Sequence, residues 1–105
     1  MKRRDWTAAR AKVEADNNGR CRVCGDSPVD AAHVIPRSID PRETNMGADS
    51  VVGLCRRDHV AYDSHELDLL PHLTLEEQLA AVRAAGSIER ARQIITGERW
   101  TGGQR

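Results

Sequence analysis

The most specific chemistry in the chain sits at three cysteines. Cys21 and Cys24 are separated by two residues, and Cys55 is followed at once by Arg56, Arg57, Asp58 and His59. Zinc takes four tetrahedral donors from thiolates, imidazoles or carboxylates, and two short-spaced pairs brought together by folding supply them. Three thiols cannot all pair as disulfides. A Cys-x-x-Cys redox pair would sit at a helix N-terminus in an α/β unit, and no such pattern surrounds Cys21 and Cys24. The reading is therefore a structural zinc on Cys21, Cys24 and Cys55, with Asp58 or His59 as fourth ligand. Spacing favours Asp58, because Cys55-x-x-Asp58 repeats the gap of Cys21-x-x-Cys24. Adjacent helical residues point about 100° apart, which leaves His59 free to face something else.

A site of this kind answers a weakness in the composition. The 105 residues contain no Phe, one Tyr and two Trp, so the chain lacks the side chains that bury most area. One domain of this length needs a staple, and three thiolate ligands in a reducing setting provide one. Neither a signal-peptide pattern nor an apolar run of membrane-spanning length is present, so no membrane partner and a cytoplasmic location are expected. Sixteen basic and sixteen acidic residues cancel, which removes the overall basic signature of a strong nucleic-acid binder. Fourteen of the sixteen basic residues are Arg, however, and its planar fork suits phosphate better than the point charge of Lys.

The elements that must position these ligands follow from periodicity. Residues 5–16 read as a helix with Trp6, Ala9 and Val13 on one face, Asp5 as cap and Asn17-Asn18-Gly19 as its end. Residues 21–25 form a tight turn. Short strands are predicted over 29–35, stopped by Pro36, and over 51–54. The polar stretch 36–50 between them reads as a surface excursion, and a helix over 56–65 follows. Thr74-Leu75-Glu76-Glu77 is a capping box that opens a helix through Ala85, with Leu75, Leu79 and Val82 as its packing face. Gly86 and Ser87 separate it from a last helix striped by Ile88, Ala91 and Ile95, and 101–105 trail away. One domain, 1–105, results: an N-terminal helix (1–19), a central knuckle and hairpin (20–66) and C-terminal helices (67–99).

Between the two halves of the knuckle lies Ala31-Ala32-His33-Val34-Ile35-Pro36-Arg37. The ordered set Cys-x-x-Cys, Ala-His-Val-Ile-Pro, a loop, and Val-x-Leu-Cys-x-x-x-His-x-x-x-Asp resembles the HNH endonuclease signature over residues 21–63. The resemblance implies an α+β fold with a ββα-metal centre, a structural zinc and one catalytic divalent cation such as Mg2+, Mn2+ or Ni2+. It implies that His33 is the general base that deprotonates the attacking water, a task suited to an imidazole. His59 and Asp63, four residues apart on one helical face, match two ligands of the catalytic cation. The implied partner is DNA, cut by hydrolysis to a 5′ phosphate and a 3′ hydroxyl with loose specificity, in a bacteriophage or bacterial setting with other proteins of that setting.

Two positions depart from the pattern. The residue before the base usually binds the metal, and here it is Ala32, with Asp30 nearby as a substitute. The central Asn that orients the base falls on Ser50, with Asp49 beside it and Asn45 farther back. Ser50 is expected to take the orienting role with shorter reach. Arg22, Arg37, Arg56 and Arg57 flank the site and are the candidates for nucleic-acid backbone contacts, which fix position without reading sequence. His65 and His72 are assigned to no site. The alternative is a zinc-stabilised nucleic-acid-binding module, catalytically weak or inactive, in which His33 is structural and Asp63 a surface residue.

Overall fold

The structure, a computed structural model, describes residues 7–97, so Asp5, Trp6 and residues 98–105 lie outside it. Helix α1 (Thr7–Ala15) runs into a 3₁₀ turn over Asp16–Gly19. There Asn18 and Gly19 adopt left-handed φ and turn the chain away, as the Asn-Asn-Gly sequence predicts. Strands β1 (Asp30–His33) and β2 (Val51–Leu54) pair antiparallel, with Asp30 opposite Leu54 and His33 opposite Val51. Helix α2 (Arg56–Asp63) follows β2 after one residue, and α3 (Leu75–Ala85) and α4 (Ile88–Thr96) complete an α+β fold.

Both faces of the small sheet are covered, which explains why all of β2 is buried. Val51 packs with Ala9 and Val13 of α1 on one face. Val52 and Leu54 point the other way, into the main core with Tyr62 of α2, Leu69, Ile94 and Ile95. Gly53 is the point of closest approach. A Cβ there would lie 3.1 Å from Val13 Cγ1 and 3.4 Å from Val29 Cγ2, so a side chain at this position would press on α1 and Val29.

Three expectations need correction here. First, β1 is shorter than residues 29–35, although Val34 N still donates to Ser50 O (3.0 Å) and prolongs the pairing by one bond. Second, 36–50 does run over the surface, with Arg37, Ser38, Pro41, Arg42, Thr44, Gly47 and Asp49 exposed, but it is anchored at three points rather than free. Asp40, Asn45 and Ser50 are buried, and Asn45 Nδ2 donates to Ile35 O (2.9 Å) and Asp40 O (3.0 Å), pinning the segment from inside. Third, α3 does not pack through Leu75 and Leu79, which are 64% and 51% exposed, nor α4 through Ile88. The buried face of α3 is Glu77, Ala80 and Ala81, small side chains and one charge that let the helix pack closely on α4 and the 3₁₀ turns before β2.

That charge is Glu77. Its Oε1 accepts from Arg22 (2.8 Å) and from Thr74 N (2.8 Å), and its Oε2 accepts from Arg22 (2.9 Å) and Lys12. Burial alone would raise the Glu77 pKa, but Arg22, Lys12 and the Thr74 amide together bring it down to about 2. One side chain thus ties α1, the cysteine turn and α3 together.

Helix α2 ends two residues earlier than expected. Ser64 caps it, and His65 takes the left-handed conformation (φ 63°) that this position usually reserves for glycine. Glu66 N then donates to Ala61 O (2.8 Å), closing a Schellman-type end. For a residue with a Cβ the conformation costs roughly 1–2 kcal/mol. It is fixed from outside by Gly97 at the end of α4, where a Cβ would lie 2.8 Å from His65 O.

Candidate metal centre and the histidine cluster beside it

The cysteine turn is built by Cys21 N donating to Asp26 O (2.7 Å) and Gly25 N to Cys21 O (3.0 Å), with Gly25 at φ 83°. Arg22 N donates to Gly53 O (2.9 Å), anchoring the turn on β2. Cys55 is the residue before α2, so its thiol and the first turn of the helix come to the same place. The ligand atoms of Cys21, Cys24, Cys55 and Asp58 all lie within 4.8 Å of one another. Cys21 Sγ and Cys55 Sγ lie 3.2 and 3.4 Å from Asp58 Oδ2, and Cys24 Sγ lies 3.6 Å from Cys55 Sγ.

Those separations suit a metal ion. Tetrahedral zinc, at about 2.3 Å from sulfur and about 2.0 Å from oxygen, sets its donors about 3.5–3.8 Å apart. Protonation behaviour points the same way. A hydrogen bond from the Asp26 backbone lowers the Cys24 thiol pKa, but Asp58, burial and the two other sulfurs outweigh it and push it up to about 12. Burial raises Asp58, yet hydrogen bonds from the three thiols and the charge of Arg57 hold it below the ordinary carboxylate range. A bare carboxylate thus sits in a ring of thiols, an arrangement that a central cation would turn into four anionic ligands. The fourth potential ligand that lies with the three thiols is Asp58 rather than His59, and its place in the first turn of α2 favours a negative charge.

His59 turns to other partners. Its Nδ1 lies 3.0 Å from Asp30 Oδ2, and its Nε2 lies 3.6 Å from Asp63 Oδ2. Asp30 is opposite Leu54, on the sheet face that α2 covers, which is why a strand residue meets this helix. An ionised carboxylate only accepts, so the Nδ1–H of His59 donates to Asp30 Oδ2. Ala32, two residues along the same face, is 1% exposed and provides core packing, with no donor to offer.

His33 is half-buried at the end of β1. Burial lowers its pKa, as do the charges of Arg37 and His59, while a hydrogen bond to the Asn45 backbone acts in the opposite sense. The residue that orients His33 is therefore Asn45 through its main chain, held by its own buried amide. Ser50 does not do so: its Oγ donates to Thr44 O (3.3 Å). Nothing in the sequence marks Asn45 as buried, since the two 3₁₀ turns that fold it inward, Glu43–Met46 and Ala48–Ser50, leave no periodic pattern.

The four arginines separate. Arg22 is withdrawn from the nucleic-acid candidates, because Glu77, Asp16 and His72 O occupy its guanidinium. Arg56 and Arg57 are exposed and lie beside Asp30 (3.3 Å) and Asp58 (3.6 Å). Arg37 is exposed and has no hydrogen bond or ion pair among the described residues. No helix among the described residues is long and apolar enough to cross a membrane.

Compared with known proteins, the chain matches no family model, no curated protein and no solved structure.

Proposed function

We propose that the protein is a metal-dependent DNA endonuclease of HNH type, with zinc at Cys21, Cys24, Cys55 and Asp58. One observation carries the reading: a four-donor cluster, formed by the cysteine turn and the start of α2, lies beside a separate group of His33, His59 and Asp63 on β1 and α2. Each residue has a task. His33, neutral near working pH because its pKa lies below the usual imidazole value, takes the proton of the attacking water. The Asn45 main chain fixes the direction in which that imidazole points. Asp30 holds His59 through Nδ1, the carboxylate–histidine arrangement that typically supports a metal-ligating imidazole. His59 Nε2 and Asp63 would hold the divalent cation, which supplies charge stabilisation to the phosphodiester as it is cut.

Ala32 favours the second reading, a zinc-stabilised nucleic-acid-binding module that does not cut. Its methyl group lies in the core where a ligand would be needed, leaving one imidazole and one carboxylate for the cation. Nicking of supercoiled plasmid in Mg2+, Mn2+ or Ni2+ decides between the two. The wild type nicks, and His33→Ala loses about a hundredfold to ten-thousandfold in rate at unchanged zinc content. A wild type that shifts DNA on a gel but nicks in none of the metals is the inactive module.

A further inference from the structure

A cleft of about 440 Å³ opens beside the histidine cluster, between the segment after β1, the end of α2 and α4. Pro36, Ile39 and Ile94 give it apolar walls, and Arg37, Asp63 and His65 stand among them as polar groups. A mainly apolar hollow with a few convergent polar groups is the usual form of a ligand site. Arg37 and His65 are exposed, and neither has a side-chain hydrogen bond or ion pair among the described residues, so both are open to a ligand. His65 also holds a left-handed backbone that Gly would adopt at no cost, and the backbone of Gly97 closes on it from behind. Strain enforced by packing, at a side chain that points no hydrogen bond inward, is what functional positions show.

We propose that this cleft binds one nucleotide unit of a nucleic-acid strand, with its backbone phosphate between Arg37 and His65. The inference rests on the nuclease reading and adds a binding residue to it. Arg37 offers a bidentate fork to the phosphate and His65 a ring N–H. The apolar walls take the sugar, and Asp63 at the cleft edge places the neighbouring phosphodiester next to the cation site. The left-handed turn aims the imidazole: a right-handed residue would continue α2 and carry its side chain elsewhere.

Two substitutions separate binding from folding. Gly and Asn both accept the left-handed conformation, but only Asn carries a donor. His65→Gly and His65→Asn are compared with wild type by thermal melting, plasmid nicking and anisotropy of a short fluorescein-labelled DNA duplex, the last in a His33→Ala background that does not cut. Both variants melt no lower than wild type. His65→Gly binds the duplex about threefold to tenfold more weakly and nicks more slowly at subsaturating DNA, whereas His65→Asn stays within about twofold. Equal affinity and nicking in all three proteins overturns the proposal while leaving the nuclease reading intact. A loss shared equally by Gly and Asn also overturns it, since the donor is then irrelevant. A wild type that neither binds nor nicks in any divalent metal removes the nuclease reading, and the phosphate role with it.

Discussion

The perturbation that tests the packing argument most directly is Glu77→Gln. The change is isosteric, and Gln is as acceptable as Glu at the third position of a capping box, so the helix start survives. What it removes is charge from a side chain that is 1% exposed. Both carboxylate oxygens accept from donors, Oε1 from Arg22 and Thr74 N, Oε2 from Arg22 and Lys12. Whichever way the Gln amide is flipped, its NH2 faces donors and at least one cation. The folded pKa of about 2 lies below the ordinary 4.5, so the contribution is complete above about pH 4.5 and is lost as pH falls toward about 2. At about 1.4 kcal/mol for each tenfold in proton affinity, it amounts to about 3 kcal/mol at pH 7. Breaking one partner of a buried ion pair costs about 3–5 kcal/mol, in agreement. Urea unfolding at pH 7, followed by far-UV circular dichroism with zinc at fixed excess, measures it. We expect a loss of about 3 kcal/mol at unchanged m value, and a Tm lower by roughly 12–24 °C. A loss under about 1 kcal/mol, the value of an exposed ion pair, would refute the claim that Glu77 clamps α1, the cysteine turn and α3.

Three further outcomes are expected. Removing metal with a strong chelator, or making Cys24→Ala, lowers Tm sharply or abolishes cooperative unfolding, because the binding energy of a structural metal is folding energy; an unchanged melt of metal-free protein refutes this. Asp58→Ala loses bound zinc by atomic absorption, whereas His59→Ala keeps zinc and loses nicking, as their separate partners require; the reverse pattern sinks the assignment. The acid limb of the nicking rate has its midpoint below the ordinary imidazole value of 6.5, because burial and the charges of Arg37 and His59 keep His33 neutral to lower pH; a midpoint above 6.5 contradicts it.

Much of the fold was legible because its signals are local. The capping box at Thr74, the stops at Gly19, Gly86 and Gly97, and the apolar run at β2 are decided by neighbours within a few residues. The metal cluster was legible too, since thiol spacing constrains which ligands can meet. What failed were the inferences for α3, Arg22 and Ser50, where contacts outside the local sequence decide the outcome. Leu75 and Leu79 have helical spacing, yet they lie outside while Glu77 lies inside, because α3 meets α4 and the 3₁₀ turns before β2 with its small side chains. Arg22 read as a surface cation, although the charge it needed stands 55 positions later in sequence. Ser50 occupied the expected position by count, but the two 3₁₀ turns over 43–50 bring Asn45 back to His33 instead.

The two groups of donors are linked by a single element. Asp58 and His59 are consecutive residues of α2, one directed to the cysteines and the other to Asp30 and Asp63. Helical geometry separates them by about 100°, so no adjustment of one can leave the direction of the other untouched. Cys55 and Asp58 together fix the start of α2 at the cluster, while Tyr62 Oη donates to Val34 O (2.5 Å) and fixes its far end to the segment after β1. A helix of eight residues held at both ends has little freedom to rotate. Metal at the cysteines would therefore do more than stabilise the domain: it would set the angle at which His59 and Asp63 face the proposed cation. Mutations at the cluster should accordingly lower nicking in molecules that remain folded, and second-site stabilisation elsewhere should restore Tm without restoring the rate.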